Sequence, residues 1–409
     1  MPVATQSDAP HQLDFRTLKH TDISEAAHLQ HMLAMALQLE FSTIPVYGTA
    51  LYSITDTSSL AFQHLKSVMI EEMYHVNQAA NLLVAVGGKP CFTGKAAPAY
   101  PAYLPGANQK TTPYLSIRPA SRDLVKDVFM AIEHPAPVQA PAEGKKYDSI
   151  GQFYKAIKDG IEKVGNDAFK NSGQNGKQRL DYYIGKQGGK PTYVTDVKTA
   201  LHAIETIVEQ GEGAINPTHP LNPLQPFGSY NHYGQRLDGT YGPILGTPFE
   251  LSHYYKFKTI ADKAKPFPPV RPTVSTANIN NYENSLAVMM ANAFDMIYSV
   301  MLHKLEFSFQ EGDQSREVYF QLVLPIMHEI LPVLARAIMQ VPIWTEGDAS
   351  IGPNALPLWN YIEGLSLASF REKMVEILNH ANSQFGLEQA LQSIPGALDR
   401  LTTSAKTLG

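Results

Sequence analysis

Cysteine is almost missing from this chain of 409 residues; Cys91 is the single one. No intrachain disulfide can form, and a cytoplasmic setting is the simplest expectation. Charge is scarce as well, at 17% of residues with a net −5. So weak a field gives no electrostatic case for nucleic acid or an anionic membrane as partner. No window approaches about 18 uninterrupted apolar residues, so no membrane-crossing helix is expected. The opening stretch, "MPVATQSDAPHQLDF", lacks the charged-then-apolar pattern of a signal segment. Strand signals are sparse, and there is no internal repeat or low-complexity tract. What is present is 44% hydrophobic, the composition of a globular chain, and its pattern is helical. The fold class expected is all-α.

Residues 22–54 and 60–87 carry the strongest helical pattern, the second ending at Gly87-Gly88 before Pro90. A third helix is expected from Ser121 to about His134, where Pro135 and Pro137 stop it. Residues 149–164 space Ile150, Phe153, Ile157 and Ile161 as a helix does. Residues 165–192, rich in Gly, Lys and Asn, read as an exposed loop. Asp196 is a good N-cap for a fifth helix reaching Gly211 or Gly213. A long stretch without helical period follows to about residue 250. Its many aromatics suit packing rather than disorder. Helix resumes near Leu251, a proline-containing linker covers 262–280, and segments near 281–310, 315–341 and 367–383 are amphipathic. Two regions result: a bundle with loop insertions over 22–262, and a helical C-terminal region, 281–409, packing on it.

In the second helix a three-and-four spacing runs through Leu65, Val68, Glu72, His75, Ala79, Leu82 and Val86, the seam of a packed helix. The first helix has Leu33, Leu37, Glu40, Ile44, Tyr47, Leu51 and Ile54. Glu40, Glu72 and His75 interrupt stripes that are otherwise apolar. An isolated charge there would cost several kcal/mol or shift its pKa. A divalent metal removes the difficulty. Glu-x-x-His on one helix, with a lone Glu on its neighbour, is half of a di-metal site in a four-helix bundle. Carboxylate with imidazole suits iron, manganese or zinc. Glu71 is off the seam, so it reads as solvent-facing or as lying behind the ligands. Tyr47 either lines the site or fills core.

For the other half, Glu133 sits in the last turn of the third helix. A negative charge there opposes the macrodipole, and a bound cation would explain it. In the fifth helix Glu209 and Glu212 have the Glu-x-x-ligand spacing, with Glu where a His is expected. His253, after the long loop, is the first candidate for the second histidine, and His202 the fallback. Tyr230, His232, Tyr233 and Tyr241 in the long loop suit stacking on a planar ligand, or serve as loop anchors. His303 with Glu306, and His328 with Glu329, have no evident partner set and are assigned to caps or surface. Nothing near Cys91 marks it as a nucleophile.

The runs "LQLEFSTIPVYGTALYSI", "EEMYHVNQAANLLVAVGGKP", "AIEHPAP", "SIGQFY", "IVEQGEG" and "SHYYKF", in this order over roughly residues 25–260, resemble the ferritin-like domain family of iminophenyl-pyruvate dimer synthases. The resemblance implies a ferritin-like bundle. Its metal ligands would be Glu40, Glu72, His75 and Glu133, with Glu209 or Glu212 and His253 completing the set. Gln152 departs from the glutamate expected in "SIGQFY", and the chain is shorter than the imine-coupling enzymes. The reading that follows is a non-haem di-metal oxidoreductase, di-iron first, without an organic cofactor. It would act with dioxygen on a small substrate derived from an aromatic amino acid, in a chain that is a candidate homo-oligomer. Glu72 would bridge, Glu40 and Glu133 would be terminal, and His75 would bind through a neutral nitrogen. The rivals are a ferroxidase or iron-storage protein and a metal-free helical scaffold.

Overall fold

Two long helices, α1 (Ala26–Ser53) and α2 (Leu60–Ala85), form the spine of a computed structural model that describes residues 26–136, 140–144, 146–182, 190–212, 251–381 and 386–408. The short link through residues 54–59 folds them back on each other, and they pack along their length. Ser59 caps α2 by accepting from the Phe62 N–H at 3.3 Å, a contact worth about 1 kcal/mol. The helix stops at Gly87, whose φ of +82° is left-handed. A side chain there would also drive a Cβ to 2.8 Å from the Asn171 carbonyl oxygen, so glycine is required twice over.

Around one flank of this pair lie four shorter elements. α3 covers residues 122–132 and contains one π-helical turn, Val125–Phe129. α4 (Ile150–Val164) starts at Ser149, whose hydroxyl accepts from Gln152 N. α5 (Val197–Gly211) starts with a reciprocal capping box between Asp196 and Thr199. α6 (His253–Ala261) returns the chain to α2 and α3.

The C-terminal region adds α7 (Ser285–Ser308), α8 (Asp313–Ile338), α9 (Leu367–Ala381), α10 (Leu387–Leu391) and α11 (Ile394–Leu408). The last two were not expected from the amphipathic pattern. α8 is interrupted by two π turns, Tyr319–Val323 and Ile326–Ile330, and packs on α1 and α7. Among the described residues, β pairing is limited to isolated bridges such as Ile54 with Val270, so the chain is all-α.

Two expectations change. Residues 165–192 do not form a simple exposed loop, because Arg179 and Tyr182 are buried. Arg179 donates to the carbonyls of Ser308 and Gln310, clamping the segment onto the end of α7. α7 and α8 are each long and apolar enough to cross a membrane, contrary to the run-length argument. In α7 most of that apolar window is buried inside the protein, as a core helix requires. Elsewhere, Glu306 accepts from the N–H groups of Phe92 and Thr93, and His303 bonds the Tyr361 hydroxyl. Both are structural ties between α7 and loops rather than helix caps or free surface, and neither joins a ligand set.

Candidate metal centre

Glu72, His75 and His253 converge in the interior, with one ligating atom of each within 4.8 Å of the others. All three are buried. Glu72 and His75 come from adjacent turns of α2. His253 is the first residue of α6, so a nine-residue helix sets its position. The two imidazoles stack, with ring centres 5.3 Å apart.

Each histidine has its outer nitrogen committed. His75 Nε2 lies 2.9 Å from Gln210 Oε1, and His253 Nε2 lies 3.0 Å from Glu71 Oε2. In the neutral ring that binds a metal, an acceptor at Nε2 places the proton there and leaves Nδ1 with a lone pair facing inward. His75 Nδ1 is 3.4 Å from Glu40 Oε2 and 3.9 Å from Glu72 Oε1. His253 Nδ1 is 2.9 Å from Glu72 Oε1 and 3.6 Å from Glu133 Oε2. Glu72 therefore stands between the rings, with Glu40 on one side and Glu133 on the other.

Hydroxyl donors hold the carboxylates. Tyr154 donates to Glu40 Oε1 at 2.5 Å and Tyr47 to Glu133 Oε1 at 2.7 Å. Thr43 Oγ1 lies 2.7 Å from Glu72 Oε2. Burial and the neighbouring carboxylates push both tyrosines well above their ordinary range, so they remain protonated donors. Burial raises the Glu72 carboxyl to about 7 against the pull of His253. Burial alone would lower His253, but Glu133, Glu71 and Glu72 outweigh it and raise the imidazole well above its usual value.

Glu212, at the end of α5, faces the same small cavity as Glu40, Glu72, His75 and Glu133. Its two oxygens accept from the backbone N–H groups of Gly151 and Ala136. Burial still lifts its carboxyl to about 7. Gly151 is needed for this approach, since a Cβ there would sit 2.2 Å from Glu212 Oε2.

The sequence candidates fall into place unequally. Glu40, Glu72, His75, Glu133, Glu212 and His253 are gathered in the interior, and Tyr47 joins them through Glu133. Glu209 and His202 are exposed on α5 and stand apart from the cluster. The buried face of α5 runs through Ala203, Ile204, Ile207 and Gly211, and Glu209 is turned away from it. Glu71 is not solvent-facing; it is fully buried behind His253. Tyr230, His232, Tyr233 and Tyr241 lie outside the described residues. Gln152 bonds Pro141 O and Ser149 and does not line the cavity, which makes it a loop anchor. Tyr154, Thr43, Gln210 and Lys256 were missed. All four sit inside the quoted runs, Thr43 in "LQLEFSTIPVYGTALYSI", Tyr154 in "SIGQFY", Gln210 in "IVEQGEG" and Lys256 in "SHYYKF", so membership of a motif was the available signal.

The residues suit a cation. His253 Nδ1 has no hydrogen bond even though Glu72 Oε1 is 2.9 Å away. The acceptor lies off the direction a ring proton would take. Two donor atoms that share a cation approach one another in this way, whereas a hydrogen-bonded pair would align.

A helical bundle carrying inward carboxylates and imidazoles defines a class of protein, the ferritin-like metal carboxylate fold. The chain belongs to the ferritin-like family: the family model described as "Ferritin-like" matches residues 33–262. The fold also matches the crystal structure of a ferritin-like protein from Caulobacter vibrioides. That match has a TM-score of 0.53 and 19% identity, covering 82% of this chain and 98% of that one. No curated protein matches the sequence.

Proposed function

We propose that this chain binds two divalent metal ions, iron first with manganese or zinc as substitutes, and carries out dioxygen-dependent oxidation at them. The observation carrying the proposal is a charge balance. Glu40, Glu71, Glu72, Glu133 and Glu212 are buried together with one lysine, Lys256. Lys256 compensates Glu71, which leaves four carboxylates beside two imidazoles; with His75 and His253 bound through neutral nitrogens, two ions of charge +2 would match all four carboxylates in their ionised form. Unmatched, buried charges of one sign would repel and pay for desolvation as well.

Glu72 would bridge, Glu40 with His75 would serve one ion, and Glu133 with His253 the other. Glu212 adds charge beside them while its oxygens stay bonded to backbone N–H groups. Bound iron supplies the electron exchange with dioxygen that no side chain here can. The protein's own part is to fix geometry and exclude water. Gln210 and Glu71 set the tautomers, and Tyr47 and Tyr154 orient Glu133 and Glu40. Phe129 and Phe257 pack on Tyr47 and seal that side.

The cavity among these residues is about 10 Å³, room for about one water. That size favours binding and oxidation of iron itself. A second reading rests on the motif run: an oxidoreductase of biosynthesis, similar to iminophenyl-pyruvate dimer synthase, acting on a small molecule derived from an aromatic amino acid. There Tyr230, His232 and Tyr233 would meet the substrate, in a cytoplasmic enzyme.

The test is metal quantification on the full chain purified without chelators, alongside Glu72→Ala. About two ions per chain, lost in the variant together with ferrous-ion oxidation, is the expected result. Unchanged metal content in Glu72→Ala would remove the centre. A compound oxidised at the expense of dioxygen by the wild type but not by the variant would select the second reading.

A further inference from the structure

Where α1 ends and α2 begins, cationic side chains from three segments of the chain meet. Arg336, in the last turn of α8, lies over the rings of Tyr52 and Phe62, 5.9 and 5.7 Å from their centres. Lys66 follows Phe62 by one helical turn, on the same face of α2. Arg271 belongs to the linker after α6, and its backbone N–H donates to Ser53 O at 2.9 Å, next to Tyr52. The three cationic residues are half-buried, and both rings are buried.

Like charges gathered in this way are unfavourable. Among the described residues, neither guanidinium has a carboxylate partner or a side-chain hydrogen bond. Arg271 Nε is buried without an acceptor. An orphaned donor of this kind costs about 1–3 kcal/mol and calls for an explanation. Burial, with Arg336 close by, lowers the Arg271 guanidinium and brings the Lys66 ammonium down to about 8.

The surroundings offer too little in return. Contact between Arg336 and the two rings contributes about 0.5–2 kcal/mol, but a ring face accepts none of its forked N–H donors in the way an oxygen does. Two helices end here, α1 at Ser53 and α8 at Ile338. Each C-terminus carries roughly half a negative charge. Their sum, about one charge, is less than the two positive charges of the guanidiniums alone.

We propose that Arg271, Arg336 and Lys66 form a binding site for a phosphate group, either the free ion or the monoester of a small molecule. The two guanidinium forks come from separate segments, and the oxygens of a tetrahedral anion can accept from both at once. A planar carboxylate pairs edge to edge with one fork and leaves the other. Lys66 adds a point charge to the same group. The site is separate from the metal centre and does not depend on the function proposed for it.

The experiment titrates inorganic phosphate and glycerol phosphate calorimetrically into the full chain. Ionic strength is held constant with chloride, and acetate serves as the planar comparison. Phosphate is expected to bind saturably, at about one equivalent per chain, and to raise Tm. Tighter binding of the inorganic ion would support the free ion as ligand, and tighter binding of glycerol phosphate the ester. Arg336→Met keeps the apolar packing on Tyr52 and Phe62, and Arg271→Gln keeps the backbone bond to Ser53. Each is expected to weaken phosphate by about tenfold or more and to leave metal content unchanged. Glu72→Ala, which disables the metal centre, should bind phosphate as the wild type does. Absence of saturable binding would overturn the proposal, as would wild-type affinity in both arginine variants or a loss confined to Glu72→Ala. Acetate binding as tightly as phosphate would overturn the assignment of a tetrahedral ligand.

Discussion

Lys256 and Glu71 form an ion pair sealed from solvent, with Nζ 2.6 Å from Oε2. Ser67 Oγ accepts a second bond from the same ammonium at 2.8 Å. Because Glu71 also accepts from His253 Nε2, the lysine acts on the metal centre through two intermediaries. It holds Glu71 ionised, and Glu71 holds the tautomer and direction of His253.

Removing one member of such a pair leaves a buried charge uncompensated. Lys256→Met is therefore expected to cost about 3–5 kcal/mol of stability, read from chemical denaturation of the metal-free chain. The double variant Lys256→Met with Glu71→Gln should recover part of that loss, since the orphaned charge is gone. A single variant as stable as the wild type would mean that the pair contributes nothing.

Neighbouring residues on α5 should behave in opposite ways. Gln210 Oε1 bonds His75, whereas Glu209 is exposed. Gln210→Leu is expected to lower metal affinity by about 10–100-fold, the usual effect of losing a partner behind a ligating histidine. Glu209→Ala should leave it unchanged. Competition against a chromophoric chelator measures both, and the reverse order would contradict the orientation of α5.

These contrasts bear on what the sequence could reveal. Glu72 and His75 were legible because a three-residue step puts them on one seam, and Glu40 because it breaks an apolar stripe on a helix joined by a short link. The burial of Glu71 was not. All of α2 except Leu60, Lys66 and Met73 is buried, so the helix has no solvent face and periodicity cannot sort one flank from another. His253 follows a long segment without helical period, and no local pattern says where the chain re-enters; its place directly after the loop and the motif run pointed to it. The helical character of α8 was legible, but its π turns follow from how it packs rather than from residue spacing.

Metal removal should destabilise the protein through the same carboxylates. The proposed ions would bind the folded arrangement and not the dispersed unfolded chain, so free ferrous ion at a hundred times its Kd is expected to add about 2.7 kcal/mol per site. Anaerobic thermal melts with and without iron read this as a concentration-dependent rise in Tm. Glu72→Gln should abolish most of the response. An identical response in that variant would place the stabilising ion elsewhere.

Far from the metal centre, Asp295 supplies a pH test that no ligand disturbs. Burial raises its carboxyl to about 7, against the opposing hydrogen bonds from Asn360 N at 3.0 Å and Asn360 Nδ2 at 2.9 Å. The unfolded chain releases this proton near the ordinary aspartate value of 3.8. Between those two values the folded state binds more protons than the unfolded one, so this group's contribution to stability falls as pH rises from about 4 to about 7 and is flat outside that window. At about 1.4 kcal/mol per pH unit the total is a few kcal/mol. Asp295→Asn keeps an oxygen for the Asn360 N–H and has no proton to lose. The difference in unfolding free energy between wild type and variant, followed by denaturant titration from pH 4 to 8, isolates the residue from Glu72 and Glu212. That difference should decline with rising pH and level off above about 7. A difference independent of pH would show that Asp295 is ionised throughout, held by Asn360 strongly enough to offset its burial.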